Sequence, residues 1–435
     1  MRLKYSLITA SLFATHSYAG DAPKNIIYMI GDGMGPAFTT AYRYYHDDPN
    51  TDEIEPTVFD SILVGMAKTY PDDATYVTDS AASATALSTG VKSYNGAIAV
   101  DTDKKPIKTM LEMAKEKGMT TGLVATSQIN HATPASFAAH NESRRNYDDI
   151  ANDYIDNKVV EKLPVDLLLG GGVRYFDRED RNLVEEFKLQ GYQYVADFGQ
   201  LPALQTLPAL GLFADEAFPF ALDENPTRLE EMTNKALSLL QRQDNGFFVM
   251  IEGSQIDWCG HANDIACAMA EMDDFAKSIE LAKAYVDAHP DTLLVITADH
   301  STGGLTIGAN GQYQWDTEVI KGVHKTAWPL AMSLAQSHNM IATWNESVDW
   351  PLSKEQGRKL AYAKLSEEPA KALYKEVKAI VNEKSYTGWT TKGHTAVDVQ
   401  VFAYGQGADK FVGSQNNTDI AKKLISFIDI DSKLL

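Results

Sequence analysis

The chain has 435 residues, 44% of them hydrophobic, which is enough for one large globular unit or a main domain with a substantial insertion. Its formal charge is −20, from 59 acidic against 39 basic residues. That balance argues against nucleic acid or an anionic membrane as the main partner, so an anionic substrate would need locally concentrated positive charge to hold it.

In chain order, residues 1–19 read as a secretory signal. Arg2 and Lys4 make a basic start, YSLITASLFA is a short apolar run, and Ser17-Tyr18-Ala19 offers small residues where a signal peptidase reads. The run is too short to span a bilayer, and no later segment approaches eighteen uninterrupted apolar residues. Residues 20–435 are therefore expected to be exported, to the periplasm or beyond. Loss of the two cations takes the formal charge from −20 to −22.

No repeat or low-complexity tract is present; what recurs is a short apolar run ending in polar residues. Ile26–Ile30 leads into Gly31-Asp32-Gly33, and 122–125 leads into Thr126-Ser127. Leu167–Leu169 leads into three glycines, Phe247–Ile251 into Glu252-Gly253, 293–297 into Asp299-His300, and 399–404 into Gly405. Such runs predict strands buried on both faces. Helical spacing separates them, over Ile107–Lys117, Asp264–Val286 and Thr418–Ile428. This alternation predicts an α/β fold, a mostly parallel central sheet with helices on both faces, whose strand ends converge on one functional edge. The rhythm weakens over about 309–389, where five of the six tryptophans fall and Ser366–Val381 predicts a helix. That region reads as an inserted cap or crown, with its aromatic residues serving packing or an interface. Cys259 and Cys267 lie eight apart, the second on a helical pattern, so a bridge is not expected and both read as free or inert thiols.

Chemistry concentrates at the strand ends. In IEGSQIDWCGHAND, Glu252 ends a strand, and Asp257 and His261 are four residues apart. On a helical turn they would share a face, a common way to offer two ligands to one metal, although alone the pair reads as a solvated Asp and His. TADHSTGG adds Asp299 and His300, which can meet one ion only if the strand has ended, as Gly303 and Gly304 suggest. Asp32 is a third acidic strand terminus, and His394 in KGHTAVDV precedes another strand. Among ten histidines, His261, His300 and His394 are assigned as ligands. His46, His289, His324 and His338 sit in polar surroundings and read as solvated, and His140 is left open. Histidines with carboxylates suit zinc, and an all-oxygen set suits magnesium. VTDSAASAT (77–85) places Ser80 before only small side chains. That suits a helix start lying tightly against metals and an anion, with backbone N–H groups turned to the anion.

Together GDGMG, VTDSAASAT, HATPASFAAH, EGSQID, TADH and GHT occur in the order found in alkaline phosphatases, and the chain resembles that family from Asn25 to Tyr404. The resemblance implies hydrolysis of phosphate monoesters through a phosphoserine on Ser80, at a site with two Zn2+ and one Mg2+. It implies Asp257, His261 and His394 as ligands of one zinc, and Asp32, Asp299 and His300 as ligands of the second, which also contacts Ser80. Asp32, Thr133 and Glu252 fall at the magnesium ligands. Arg144, in ESRRNY, falls at the phosphate-gripping arginine, with Arg145 adjacent. His131 and Trp258 occupy positions that vary in the family, and this pairing resembles marine bacterial members more than enteric ones. Family members are commonly homodimers, and the Trp-rich region is one candidate for that contact. Three other readings are weighed. A sulfatase of the same fold would need Pro and Arg soon after its nucleophile, whereas Ser80 is followed by Ala81-Ala82-Ser83-Ala84. A diesterase is disfavoured by the crowding Arg144 would impose on a second ester group. A secreted metal- or phosphate-storage protein would have no use for Ser80.

Overall fold

The computed structural model describes residues 22–429; the expected signal at 1–19 lies outside the described residues. The run Ile26–Ile30 becomes β1 (Asn25–Gly31), buried at every residue. Further strands follow as β2 (Leu63–Lys68), β3 (Thr120–Gln128), β4 (Leu167–Gly171), β5 (Gln193–Val195), β6 (Ala209–Leu212), β7 (Phe247–Gly253) and β8 (Thr292–Ala298). Beyond them come β9 (Ser301–Thr302), β10 (Leu305–Ile307), β11 (Thr387–Trp389), β12 (His394–Thr395), β13 (Val399–Gly405) and β14 (Gly413–Asn416). Ten strands form one sheet in the order β14-β2-β13-β8-β1-β7-β3-β4-β6-β5. Only β13 runs against the other nine in it. The α/β class read from the sequence is therefore the fold, and the runs at β1, β3, β4, β7, β8 and β13 are its middle.

β1, β7 and β8 are buried along their whole length because helices cover both faces, so no polar alternation is required of them. The longest cover is the Ile265–Ala288 helix, capped by Asp264, whose side chain accepts from the backbone N–H of Cys267. The C-terminal helix, Asn417–Ile428, opens with a capping box between Asn416 and Asp419.

The expectation for the cysteines is overturned: Cys259 and Cys267 form a disulfide, with Cα atoms 5.5 Å apart. The reason is a break in the helix. Gln255–Ala262 ends at Asn263, which takes a left-handed φ of 55°, and the chain turns before Ile265 starts the next helix. The turn brings the two cysteines together, where one continuous helix would have held them about 12 Å apart.

Between 309 and 389 the weakened alternation becomes mainly helix: Thr317–Lys321, Ala327–Gln336, Met340–Asn345, Lys354–Ala363 and Pro369–Ser385. Two of the tryptophans here, Trp344 and Trp350, serve packing, while Trp328 is exposed. Trp344 is fully buried with its indole N–H on the Trp350 carbonyl, and Trp350 donates to the Val319 carbonyl. Two short antiparallel ladders, β10 with β11 and β9 with β12, tie this region to the end of β8.

Candidate active site

Register decides what meets at the sheet edge. Gly31 of β1 lies level with Gly253 of β7 and Ala298 of β8, so Asp32, Glu252 and Asp299 leave the sheet together. The β9–β12 ladder sets His394 opposite Thr302, which delivers a residue from far along the chain to the same edge. Gly33, at φ 72°, permits the close approach: a Cβ there would lie 2.7 Å from the Asp257 Cα.

Ser80 begins the Ser80–Thr89 helix, every residue of which is buried. Its small side chains let it pack between the Ala132–Ala138 and Asn417–Ile428 helices. Asp79 caps it, accepting from the backbone N–H of Ala82 at 2.9 Å and of Gly96 at 3.1 Å. Ser80 Oγ lies 3.2 Å from His300 Nε2. Arg144 donates to Asp79 at 3.0 Å and lies 3.3 Å from His131 Nε2, while Arg145 is exposed and outside this cluster. Trp258 meets the His131 ring edge-on, with centroids 6.0 Å apart.

Three groups of side chains bring donor atoms within 4.8 Å of one another: Asp257, His261 and His394; Asp32, Asp299 and His300; and Asp32, His131 and Glu252. The first two are the histidine-containing sets read from the sequence. The third differs from expectation in including His131, which was placed around the site and not in a cluster. His46, His289, His324 and His338 belong to none of them. His140, left open above, bonds Glu112 at 3.0 Å and the Ala99 carbonyl at 2.9 Å, and is a structural histidine.

These donors have unmet needs. Both Asp32 oxygens, Glu252 Oε1, Asp299 Oδ2 and Thr133 Oγ1 are buried without a hydrogen-bond partner. Buried carboxylate oxygens in that state call for positive charge. The imidazoles agree. His394 Nδ1 donates to the Thr78 carbonyl at 2.8 Å and His261 Nδ1 to the Lys392 carbonyl, so each turns a bare Nε2 to the other at 3.1 Å. Two lone pairs and Asp257 converge there, a fit for a cation and for little else. His300 is held likewise: Thr302 donates to Asp257 and accepts from His300 Nδ1, leaving His300 Nε2 3.2 Å from Asp299 and 3.4 Å from Asp32.

The electrostatics carry the same message. Burial, then the charges of Asp299, Asp257 and Glu252, push Asp32 far above the usual carboxylate range. Burial also pushes Glu252 up to about 7. Burial and then the charge of His300 bring His394 down to about 4, and burial with Arg144 brings His131 down to about 3, so both are neutral donors near neutral pH.

Several supporting groups escaped the sequence reading. Thr302 fixes Asp257 and His300, and Ser254 donates to Glu252 at 2.6 Å. Ser83 donates to the Asp299 carbonyl at 2.7 Å, and Asp79 anchors Arg144. Only Asp79, next to Ser80 at a helix start, carried a local signal that could have been read as a cap.

The alkaline phosphatase family profile matches residues 23–430, and the chain belongs to that family. It is 47% identical to Alkaline phosphatase 3 of Bacillus subtilis over 426 aligned residues, 95% of this chain and 91% of that protein. Its structure is similar to that of a cold-active alkaline phosphatase from a psychrophilic Shewanella sp., with a TM-score of 0.89 and 50% identity over 93% of this chain and 99% of that one. An alkaline phosphatase variant from TAB5, solved with Mg bound in its M3 site, gives a TM-score of 0.69 at 29% identity, covering 94% of this chain and 99% of that one. The protein is a phosphoric monoester hydrolase of a metal-dependent family, and it carries three clusters of metal-binding character.

Proposed function

We propose that the hydrolysis runs through a phosphoserine on Ser80, at a centre of two Zn2+ and one Mg2+. Asp257, His261 and His394 would hold one zinc, and Asp32, Asp299 and His300 the other, beside Ser80. Asp32, Thr133 and Glu252 would hold the magnesium, with the neutral His131 next to it. The observation that carries this reading is the set of orphaned buried oxygens around Ser80. Their chemistry fits the ions: nitrogen with carboxylate for zinc, oxygen for magnesium. When bound, the ions supply Lewis-acid polarisation of the phosphoryl and leaving oxygens and make a hydroxyl a better nucleophile.

The chain's own residues do the rest. Ser80 Oγ, fixed at a helix start, attacks phosphorus; the P–O bond to the alcohol breaks and the alcohol leaves. The backbone N–H groups of the helix start turn toward the transferred group. Arg144, tethered by Asp79, has further N–H donors for phosphoryl oxygens and fixes their orientation. Water then cleaves the Ser80–phosphorus linkage and inorganic phosphate departs. The cluster at Asp257, His261 and His394 lies on the open side, where the His261 side chain is 40% exposed, so the alcohol is read as leaving on that side.

The exported location read from residues 1–19, the homodimer, and residues 309–389 as a crown inserted in the 20–435 domain belong to this proposal too. No helix among the described residues is long and apolar enough to cross a membrane. The test is Ser80→Ala, assayed with an aryl phosphate monoester and a diester beside metal analysis. Monoester turnover should fall by about a thousandfold or more with bound metal retained. Turnover like that of the parent enzyme would end the phosphoserine reading, and faster diester cleavage by the parent would shift the substrate class.

A further inference from the structure

Beside the site lies a cavity of about 610 Å³ whose lining includes Lys371, Lys375, Lys378, Lys392, Tyr374 and Trp389. No acidic side chain is among its lining residues, although acids outnumber bases 59 to 39 along the chain. Lys371, Lys375 and Lys378 follow one another at four and three residues on one face of the Pro369–Ser385 helix, a spacing at which like charges repel. Their internal compensation is slight. Lys371 pairs with Glu368, but both side chains are largely exposed, so the pair is weak. Lys378 lies over the Tyr374 ring at 3.9 Å and donates to the Ala262 carbonyl. Burial and then the charge of Lys392 lower its pKa, against a smaller raising effect from Asp264. Three exposed lysines, with the buried Lys378 behind them, thus line a concavity in a strongly acidic protein.

The cavity shares its wall with the site. Lys392 stands two residues before His394, and its carbonyl accepts from His261. Lys392 therefore lies on the side where His261 opens the site and where the alcohol is read as leaving.

We infer that this cavity binds additional phosphate groups carried by the leaving group, so that esters of di- and triphosphates, such as a nucleoside triphosphate, are a preferred substrate class. The inference rests on the leaving-group direction given under Proposed function. With ATP, Ser80 Oγ bonds to the terminal phosphorus, the P–O bond to ADP breaks, and the ADP phosphates lie among the lysines until water releases inorganic phosphate from Ser80. Lysine suits this role because it offers point charges without a fixed geometry, to phosphates that differ from substrate to substrate.

The experiment compares ATP with p-nitrophenyl phosphate on the metal-loaded full chain and on a Lys371→Ala/Lys375→Ala variant. Alanine preserves the helix, and both lysines are outside the metal clusters. The KM for ATP should rise about fivefold in the variant, while kcat and KM for p-nitrophenyl phosphate stay within about twofold. In the parent enzyme, the KM for ATP should also climb more steeply with salt than that for the aryl ester. Equal shifts for both substrates, or an unmoved KM for ATP, would overturn the inference. Failure of the phosphoserine reading shows up separately, as undiminished aryl phosphate turnover in Ser80→Ala.

Discussion

Trp258 directly follows Asp257 and touches His131, which in turn lies beside Arg144. An indole donates one hydrogen bond and carries no charge, so this side of the proposed phosphate site has no fixed cation beyond Arg144. Trp258→Lys should therefore strengthen inhibition by inorganic phosphate several-fold, with a smaller change in magnesium content. An inhibition constant that stays put makes Trp258 a packing residue. His131→Asp would put an anionic oxygen beside Asp32 and Glu252, and magnesium should bind roughly tenfold more tightly, as read by titration after chelation. Replacing His300 by Ala should lower bound zinc from about two ions toward one, because Asp32 and Asp299 alone do not complete a zinc site. At this scale much was legible. Asp32, Glu252, Asp299 and His300 each end an apolar run, and such ends must converge when the strands are parallel. Thr302, Ser254 and Ser83 were not legible, since a lone hydroxyl has no spacing signature and its partner lies elsewhere in the chain.

The Ser80–Thr89 helix depends on Asp79 twice, as cap and as the anchor of Arg144. Asp79→Ala should cost about 1 kcal/mol of stability from the lost cap, seen in denaturant unfolding. It should also raise the KM for phosphate monoesters as Arg144 loosens. Asp79→Asn, which keeps a cap oxygen but weakens the attraction to Arg144 through loss of charge, should spare stability more than KM. The Gln255–Ala262 helix, bearing Asp257 and His261, is pinned to the next helix by Cys259–Cys267. Cys259→Ala/Cys267→Ala should lower stability by roughly 2 kcal/mol, and zinc release to a chelator should quicken. Unchanged stability and release would leave the bridge without a supporting role. Elements divided by burial in their legibility. The central strands, apolar and buried, could be read, whereas β2 is apolar at Leu63, Val64, Met66 and Ala67 yet buried at only one residue, and β5 is only three residues long, so neither stood out as a strand. The break at Asn263 was missed because the apolar spacing continues on either side of it, and the disulfide was missed with it.

The whole molecule gathers acids at its centre, which gives the metal-free protein an unusual dependence on pH. Folding raises the pKa of Glu252 from 4.5 to about 7, mainly through burial, and raises that of Asp32 as well. Between those values the folded state holds more protons than the unfolded one, so this contribution to stability is present at low pH and lost as pH rises through about 7. His394 and His131, held neutral in the folded state, act in the opposite sense below about pH 6.5, so the acid contribution is isolated by substitution. Between about pH 6.5 and pH 8 metal-free Glu252→Gln should lose less melting temperature than the metal-free parent, and equal losses in the two would contradict the buried-acid account. His394 enters the site from the far end of the chain, on the short β9–β12 ladder and a hydrogen bond to Thr78 that spans 316 residues. A ribosome must finish nearly the whole polypeptide before that corner exists. Partly made chains can thus expose Asp32 and Ser80 without trapping a metal there, and the enzyme acquires its ions wherever folding is completed. If the chain is exported unfolded, as proposed, metal supply on the far side of the membrane sets how much active enzyme appears.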